Sequence, residues 1–341
     1  MQRDNIIDTA KGFGFFLVIA GHLFIYGGGY SCVIFSFHMP LFFFLSGYVF
    51  NTDWSRKQFY YKELNLLLPY LFFSILGLLI SLIVPAWRNF SAKLVLLDIF
   101  YNVNPNLLHV GQIWFLFALI DIITFVYALN FLFKKEVFKL IAVFVAFIIC
   151  FLIKRYKIGI FFGGESYRIP FKLDDAMAGL LFFYSGIIAK KMDVTTRINV
   201  SKLWLRCLLF VVSALTLVFF AKLNGMVNID SNFNNPILFL ITSFVGIFMI
   251  LIFSSLFADG KFNFISWFGK NSLPVFACHS LFLYGYAYLL SQIFSTEIVI
   301  MRNVPDVWAF VGAILTVLCS IPVAILYNNT VAVLFHKINR K

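Results

Sequence analysis

Ten stretches, most of them about twenty apolar residues long and so able to cross a bilayer as helices, recur along this 341-residue chain. They run over 10–28, 31–50, 64–86, 111–133, 137–156, 174–190, 203–222, 236–258, 272–294 and 306–335. Hydrocarbon offers no partner for a bare N–H or C=O, so each stretch must close its hydrogen bonds internally as a helix. The runs are continuous and lack the alternation of a transmembrane β-barrel. Hydrophobic residues make up 62% and charged residues 12% of the chain. A soluble domain carries about 45–50% and 25%, and this chain has too little polar surface to face water. The expected fold class is an all-α integral membrane protein with about ten transmembrane helices. Pro40 should weaken the second run, and the last is long enough to tilt or break near Pro322.

Orientation follows from the basic residues. With the N-terminus cytoplasmic, 18 of the 27 Lys and Arg fall in inner segments and nine in outer ones. That bias places both termini in the cytoplasm. The exception is 154–175, where Lys154, Arg155, Lys157, Arg168 and Lys172 join Glu165, Asp174 and Asp175 in the most charged outer loop. It reads either as a solvated loop or as a face toward a polar acceptor. The net charge of +12 needs no nucleic-acid partner, since no basic run interleaves with exposed aromatics. The five cysteines lie in apolar stretches without CxxC spacing, as small reduced apolar residues would. The first run carries His22 and lacks a following cleavage site, so it is expected to be retained.

Ionisable residues at membrane depth are functional candidates, because hydrocarbon penalises them. Lys11 precedes His22 by eleven residues, about three turns, placing the two on one face about 16 Å apart. Asp8 lies one turn before Lys11. Lys11 then sits at the cytoplasmic boundary and His22 near the middle of the first helix. Beyond the turn Gly27-Gly28-Gly29-Tyr30, His38 descends the second helix to a similar depth, so the two imidazoles can face one cavity. Ser46 and Gly47 follow near the cytoplasmic end. His279 lies about two turns into the ninth run beside Cys278, and His109 precedes Trp114. The histidines have no HxxxH spacing or accompanying carboxylate, so no metal site is expected. Lys11 also admits a bland role as a snorkelling anchor, and His22 one as a satisfied core histidine.

These residues carry a resemblance. Lys11-x10-His22, preceded by Ile7-Asp8, resembles the Arg/Lys-x10-His signature of the acyltransferase 3 family of integral membrane acyltransferases. The run Phe37-His38-Met39-Pro40 through Ser46-Gly47-Tyr48 is similar to that family's second-helix motif in its fucose 4-O-acetylase-like subgroup. Pro69-Tyr70, Trp114-Phe115-Leu116, Phe182-Phe183-Tyr184-Ser185-Gly186 and Gly269-Lys270-Asn271-Ser272-Leu273, followed by His279, match later family positions in order. The resemblance covers the whole chain, as one transmembrane acyltransferase domain over 1–341 with no appended soluble domain. The signature's basic residue is Lys here, and no arginine precedes Pro69-Tyr70.

The resemblance implies transfer of an acyl group, commonly acetyl, from cytosolic acyl-CoA to a hydroxyl of a saccharide or lipid-linked saccharide. The enzyme would lie in the cell inner (cytoplasmic) membrane, with acetyl-CoA as co-substrate and no bound cofactor. Residue chemistry agrees with it. A sugar hydroxyl needs a base as it attacks, and neutral histidine serves near pH 7. His22 is the expected catalytic base. His38 and Ser46 are candidates to stabilise the oxyanion, with Trp114 and His279 in support. Lys11, Asp8, Arg56 and Lys57 would form the donor site, the cations facing the phosphates. The alternative is a transporter or flippase, but the polar motifs concentrate in the first two helices without a matching pair in the second half.

Overall fold

The computed structural model describes residues 4–52, 55–83, 99–100, 113–161, 167–258 and 263–333. Nearly all of them are helical. Among them, eight helical segments, the first made of two helices in series, are long and apolar enough to cross a membrane: 29–48, 56–80, 114–132, 136–155, 203–224, 236–255, 272–294 and 306–333. The other two expected runs are helical as well. The first forms α1 (Asn5–Gly21), with 17 residues, and 174–190 falls in a helix that carries Asp174, Asp175, Lys190 and Lys191. The all-α membrane architecture is borne out.

Two compact units partition the chain. The first holds Met1–Phe50, Phe182–Val275 and Phe282–Ile321. It contains α1, α2 (Gly29–Phe35) and α3 (His38–Tyr48). With them are the C-terminal part of α7 (Leu173–Lys191), α8 (Val194–Asn199), α9 (Leu203–Asn224), α10 (Pro236–Ser255) and α11 (Asn263–Lys270). Parts of α12 (Ser272–Phe294) and α13 (Asp306–Asn329) complete it. Its centre is aromatic: Phe15, Phe37, Phe43, Phe182, Phe183, Phe233 and Phe239 are fully buried. Glycines let the helices touch. A Cβ on Gly47 would strike the Phe183 carbonyl, and one on Gly186 the Phe44 carbonyl, so α3 and α7 cross backbone to backbone. Likewise, Gly269 of α11 lies against the Asp8 carbonyl of α1.

The second unit holds Asn51–Leu181, Phe276–Leu281 and Pro322–Lys341. It contains α4 (Arg56–Ile83), α5 (Trp114–Leu132) and α6 (Glu136–Arg155). Between α6 and α7 lies a short antiparallel pair, β1 (Ile160–Phe161) and β2 (Tyr167–Arg168). The Tyr70 hydroxyl donates to the Ile99 carbonyl at 2.8 Å, and Phe73 stacks on Tyr327 with centroids 5.3 Å apart.

Proline acts differently in the two spans where it was expected to act. The second run is not one helix: it breaks at Ser36–Phe37, where Phe37 takes φ −144° and ψ −16°. Pro40 explains the position. It has no N–H to give the Ser36 carbonyl four residues back, and its ring crowds that carbonyl. The Ser36 carbonyl accepts instead from the Ser243 hydroxyl of α10, at 3.0 Å. By contrast, α13 runs through Pro322 without a break.

Candidate functional site

The first unit builds its polar centre where α1 ends and the second span breaks. α1 starts at Asp4, whose Oδ1 accepts from the Ile6 and Ile7 amides at 2.9 and 3.3 Å, an N-cap that satisfies orphan donors. The helix tightens at its far end, where Leu23 N donates to the Ala20 carbonyl at 2.9 Å, and it stops. His22 is therefore the C-cap residue of α1 and not a mid-helix residue as the apolar run suggested. It is half-buried. His38 is the first residue of α3, set by the break, and only 4% exposed. Both histidines thus sit at helix ends, where a backbone leaves the regular ladder.

Phe35 joins them. Its ring meets His22 edge-on at 5.7 Å and 87°, and His38 at 4.7 Å and 71°. The two imidazoles thus share one aromatic neighbour. His38 Nδ1 lies 3.0 Å from the Ile34 carbonyl. A carbonyl only accepts, so Nδ1 carries the hydrogen and the neutral ring keeps its lone pair on Nε2. His38 thereby presents an acceptor, which suits proton transfer better than oxyanion donation. Tyr26 touches Phe35 from the turn at 6.0 Å. Burial, and then the Asp230 carboxylate, raise its phenol above the ordinary range and keep its proton on.

Lys11 and Asp8 lie on α1 as expected, Asp8 buried and Lys11 half-buried. Gly14 of α1 faces Leu41 and Phe42 of α3. The two helices run antiparallel, so Ser46 lies at the depth of Lys11. It stands eight residues from His38, about 12 Å along α3. The α1 start is clamped by a chain that sequence reasoning missed. The Tyr48 hydroxyl and Thr195 Oγ1 lie 2.7 Å apart, and Thr195 Oγ1 donates to Asp4 Oδ2 at 2.7 Å. Asp4 was detectable as a cap ahead of an apolar run; Thr195 carried no signal. Phe35 and Ser243 read only as apolar filler and a lone helical serine.

The remaining candidates belong to the second unit. Arg56 and Lys57 are exposed in the first turn of α4, Lys57 lying 5.6 Å from the Tyr61 ring centroid. Trp114 starts α5 and meets Phe115 at 6.3 Å; Phe115 meets Phe276 at 5.4 Å. His279 is fully buried, its Nδ1 2.6 Å from the Phe276 carbonyl. Its place two turns into α12 agrees with the sequence.

The charged segment 154–175 departs from a solvated loop in its described part. Lys154 Nζ lies 2.8 Å from Asp174 Oδ2 and 2.7 Å from Asp175 Oδ1, and Lys172 Nζ lies 3.6 Å from Asp175 Oδ2. Lys172, Asp174 and Asp175 are buried, and the Lys154 side chain is 5% exposed. Lys172 also lies 5.7 Å from the Trp114 ring centroid. These charges compensate one another inside the protein. Glu165 and His109 lie outside the described residues. Among the described residues no group of three or more His, Cys, Asp or Glu could hold a metal ion.

A family model described as an acyltransferase domain matches residues 4–325, spanning both units. No curated protein matches the chain, and neither does any solved structure.

Proposed function

The chain belongs to this family of membrane acyltransferases, and we propose that it moves an acyl group, commonly acetyl, from cytosolic acyl-CoA to a hydroxyl of a cell-envelope saccharide. The observation that carries this reading is the pair of imidazoles held against Phe35 at two helix ends.

His22 is the proposed base. As the hydroxyl oxygen attacks the thioester carbonyl, His22 takes its proton. The C–O bond forms, the C–S bond breaks, and the proton passes to the departing coenzyme A thiolate. Direct transfer of this kind balances without an acyl-enzyme. His38, with its Nδ1–H held by Ile34, presents a neutral Nε2 beside His22. Both rings lie against Phe35, so His38 Nε2 is placed to take the proton on from His22.

Lys11 is the proposed anchor for the donor phosphates. About 16 Å separates it from His22 along α1, comparable to an extended pantetheine arm. Asp8 is buried one turn away. Arg56 and Lys57 are exposed cations suited to the nucleotide end. Trp114 and His279, linked through Phe115 and Phe276, are proposed as supporting residues. We place the enzyme in the inner membrane with its donor face toward the cytosol, on the two-to-one bias of basic residues.

Mass spectrometry of surface glycans from cells with and without the gene tests the reading. An acetyl mass increment that appears only with the gene is expected. Identical glycan modification in both cells, with altered glycan export, would instead support a transporter.

A further inference from the structure

The end of the first unit where α1 passes into α2 contains a pocket of about 410 Å³. Sites for small ligands run from about 300 to 1,000 Å³. Phe24, Gly28, Tyr30, Ser31, Lys222 and Asp306 contribute to its lining. One face of the Tyr30 ring stacks on Phe24, with centroids 4.9 Å apart and planes 28° from parallel. Phe310 meets both rings, at 5.0 and 6.2 Å, and fixes their orientation. Tyr30 is nevertheless 54% exposed, so a second face stays open. Hydrogen bonds tie the turn beside it. The Ser31 hydroxyl lies 2.7 and 3.0 Å from the Ile25 and Gly28 carbonyls, and Gly27 takes φ +82°.

Two charges of opposite sign reach the same pocket. Lys222 comes from the last turn of α9 and Asp306 from the first residue of α13. Both are exposed, and neither side chain takes part in an ion pair or hydrogen bond among the described residues. A stacking platform beside an ammonium and a carboxylate suits a ring bearing many hydroxyls, which donate to the carboxylate and accept from the ammonium. Together the two side chains add no net charge to the pocket, which suits a ring that is itself uncharged. The pocket begins two residues beyond His22, at Phe24.

We propose that this pocket binds the acceptor as a neutral saccharide ring stacked on Tyr30, its hydroxyls held by Lys222 and Asp306. The assignment rests on the acyl-transfer reading above and gives that reaction its acceptor site.

The test uses the full-length chain in detergent, radiolabelled acetyl-CoA, and the methyl glycosides of glucose, galactose, mannose, glucuronic acid and glucosamine. Acceptor binding is followed separately by saturation-transfer NMR. Acetyl transfer to at least one neutral glycoside is expected. Lys222→Met, Asp306→Asn and Tyr30→Ala should each raise acceptor KM about tenfold or more, well beyond any change in donor KM. Asp306→Asn should also improve the glucuronide relative to the neutral sugars. Lys202→Met, at the opposite end of α9, should change neither KM. Unaltered acceptor KM in all three pocket variants of an active enzyme would overturn the pocket and leave the acyltransferase reading standing. Binding of a neutral glycoside that is lost in Tyr30→Ala, with no transfer by the wild type, would keep the pocket and sink the reaction. Neither binding nor transfer with any glycoside would overturn the pocket.

Discussion

The His38 imidazole and the Ile34 carbonyl meet at 3.0 Å across the break in the second span. This contact makes use of the interruption. At the break the Ile34 carbonyl accepts from the Phe37 amide at 3.2 Å and also faces the ring, so it fixes the tautomer, and the tautomer leaves Nε2 as an acceptor in a buried place.

Asparagine tests that chain of causes, because its side-chain amide can replace the Nδ1–H donor without supplying Nε2. His38→Asn should unfold at nearly the wild-type temperature while losing about 10²–10⁴-fold in transfer rate. His38→Ala should lose both activity and stability. An active His38→Asn enzyme would assign the ring a structural task alone.

The Ser36 carbonyl gives a second prediction. Ser243→Ala removes its partner and should lower stability by about 0.6–2 kcal/mol, the range for interhelical hydrogen bonds in membranes. Pro40→Ala restores an amide able to reach the same carbonyl. In the Ser243→Ala background it should recover part of that loss, measured by a double-mutant cycle in denaturant. Pro40→Ala alone should reduce activity, since a healed helix re-aims His38.

The crossing of α3 and α7 is sensitive to a single methyl group. Gly47→Ala and Gly186→Ala each drive a Cβ into a facing backbone carbonyl, Phe183 and Phe44 respectively, and should sharply reduce the yield of folded protein. Gly285→Ala, with no neighbour within 4 Å, should leave the yield unchanged. Size-exclusion profiles of the three variants decide the matter.

Lys154 compensates two buried aspartates of the second unit. Lys154→Met should destabilise by roughly 3–5 kcal/mol, because it leaves buried charge uncompensated. Adding Asp174→Asn and Asp175→Asn should restore much of the loss. Thermal unfolding in detergent measures both steps.

Much of this molecule was legible in the sequence for one physical reason: hydrocarbon forces long apolar runs into helices. Eight of the ten runs qualify as spans among the described residues, and the other two are helical. The candidate pair His22 and His38 was readable from depth and spacing. Their surroundings were not. The apolar run through 28 hid the end of α1, because Leu23, Phe24 and Ile25 are as apolar in a turn as in a helix. Pro40 announced a disturbance, but its steric effect falls four residues back, at Ser36. Thr195 and Ser243 act from segments far along the chain, where a lone hydroxyl has no pattern. The charges of 154–175 looked solvated, since pairing among Lys154, Asp174, Asp175 and Lys172 depends on tertiary contact.

The role of His22 is tested most directly by acetyl transfer from radiolabelled acetyl-CoA to saccharide, comparing wild type and His22→Ala at matched amounts of folded protein. Loss of about 10²–10⁴-fold in transfer rate, with folding intact, is the expected result. Near-wild-type transfer by His22→Ala would remove His22 from the reaction and contradict the proposed mechanism.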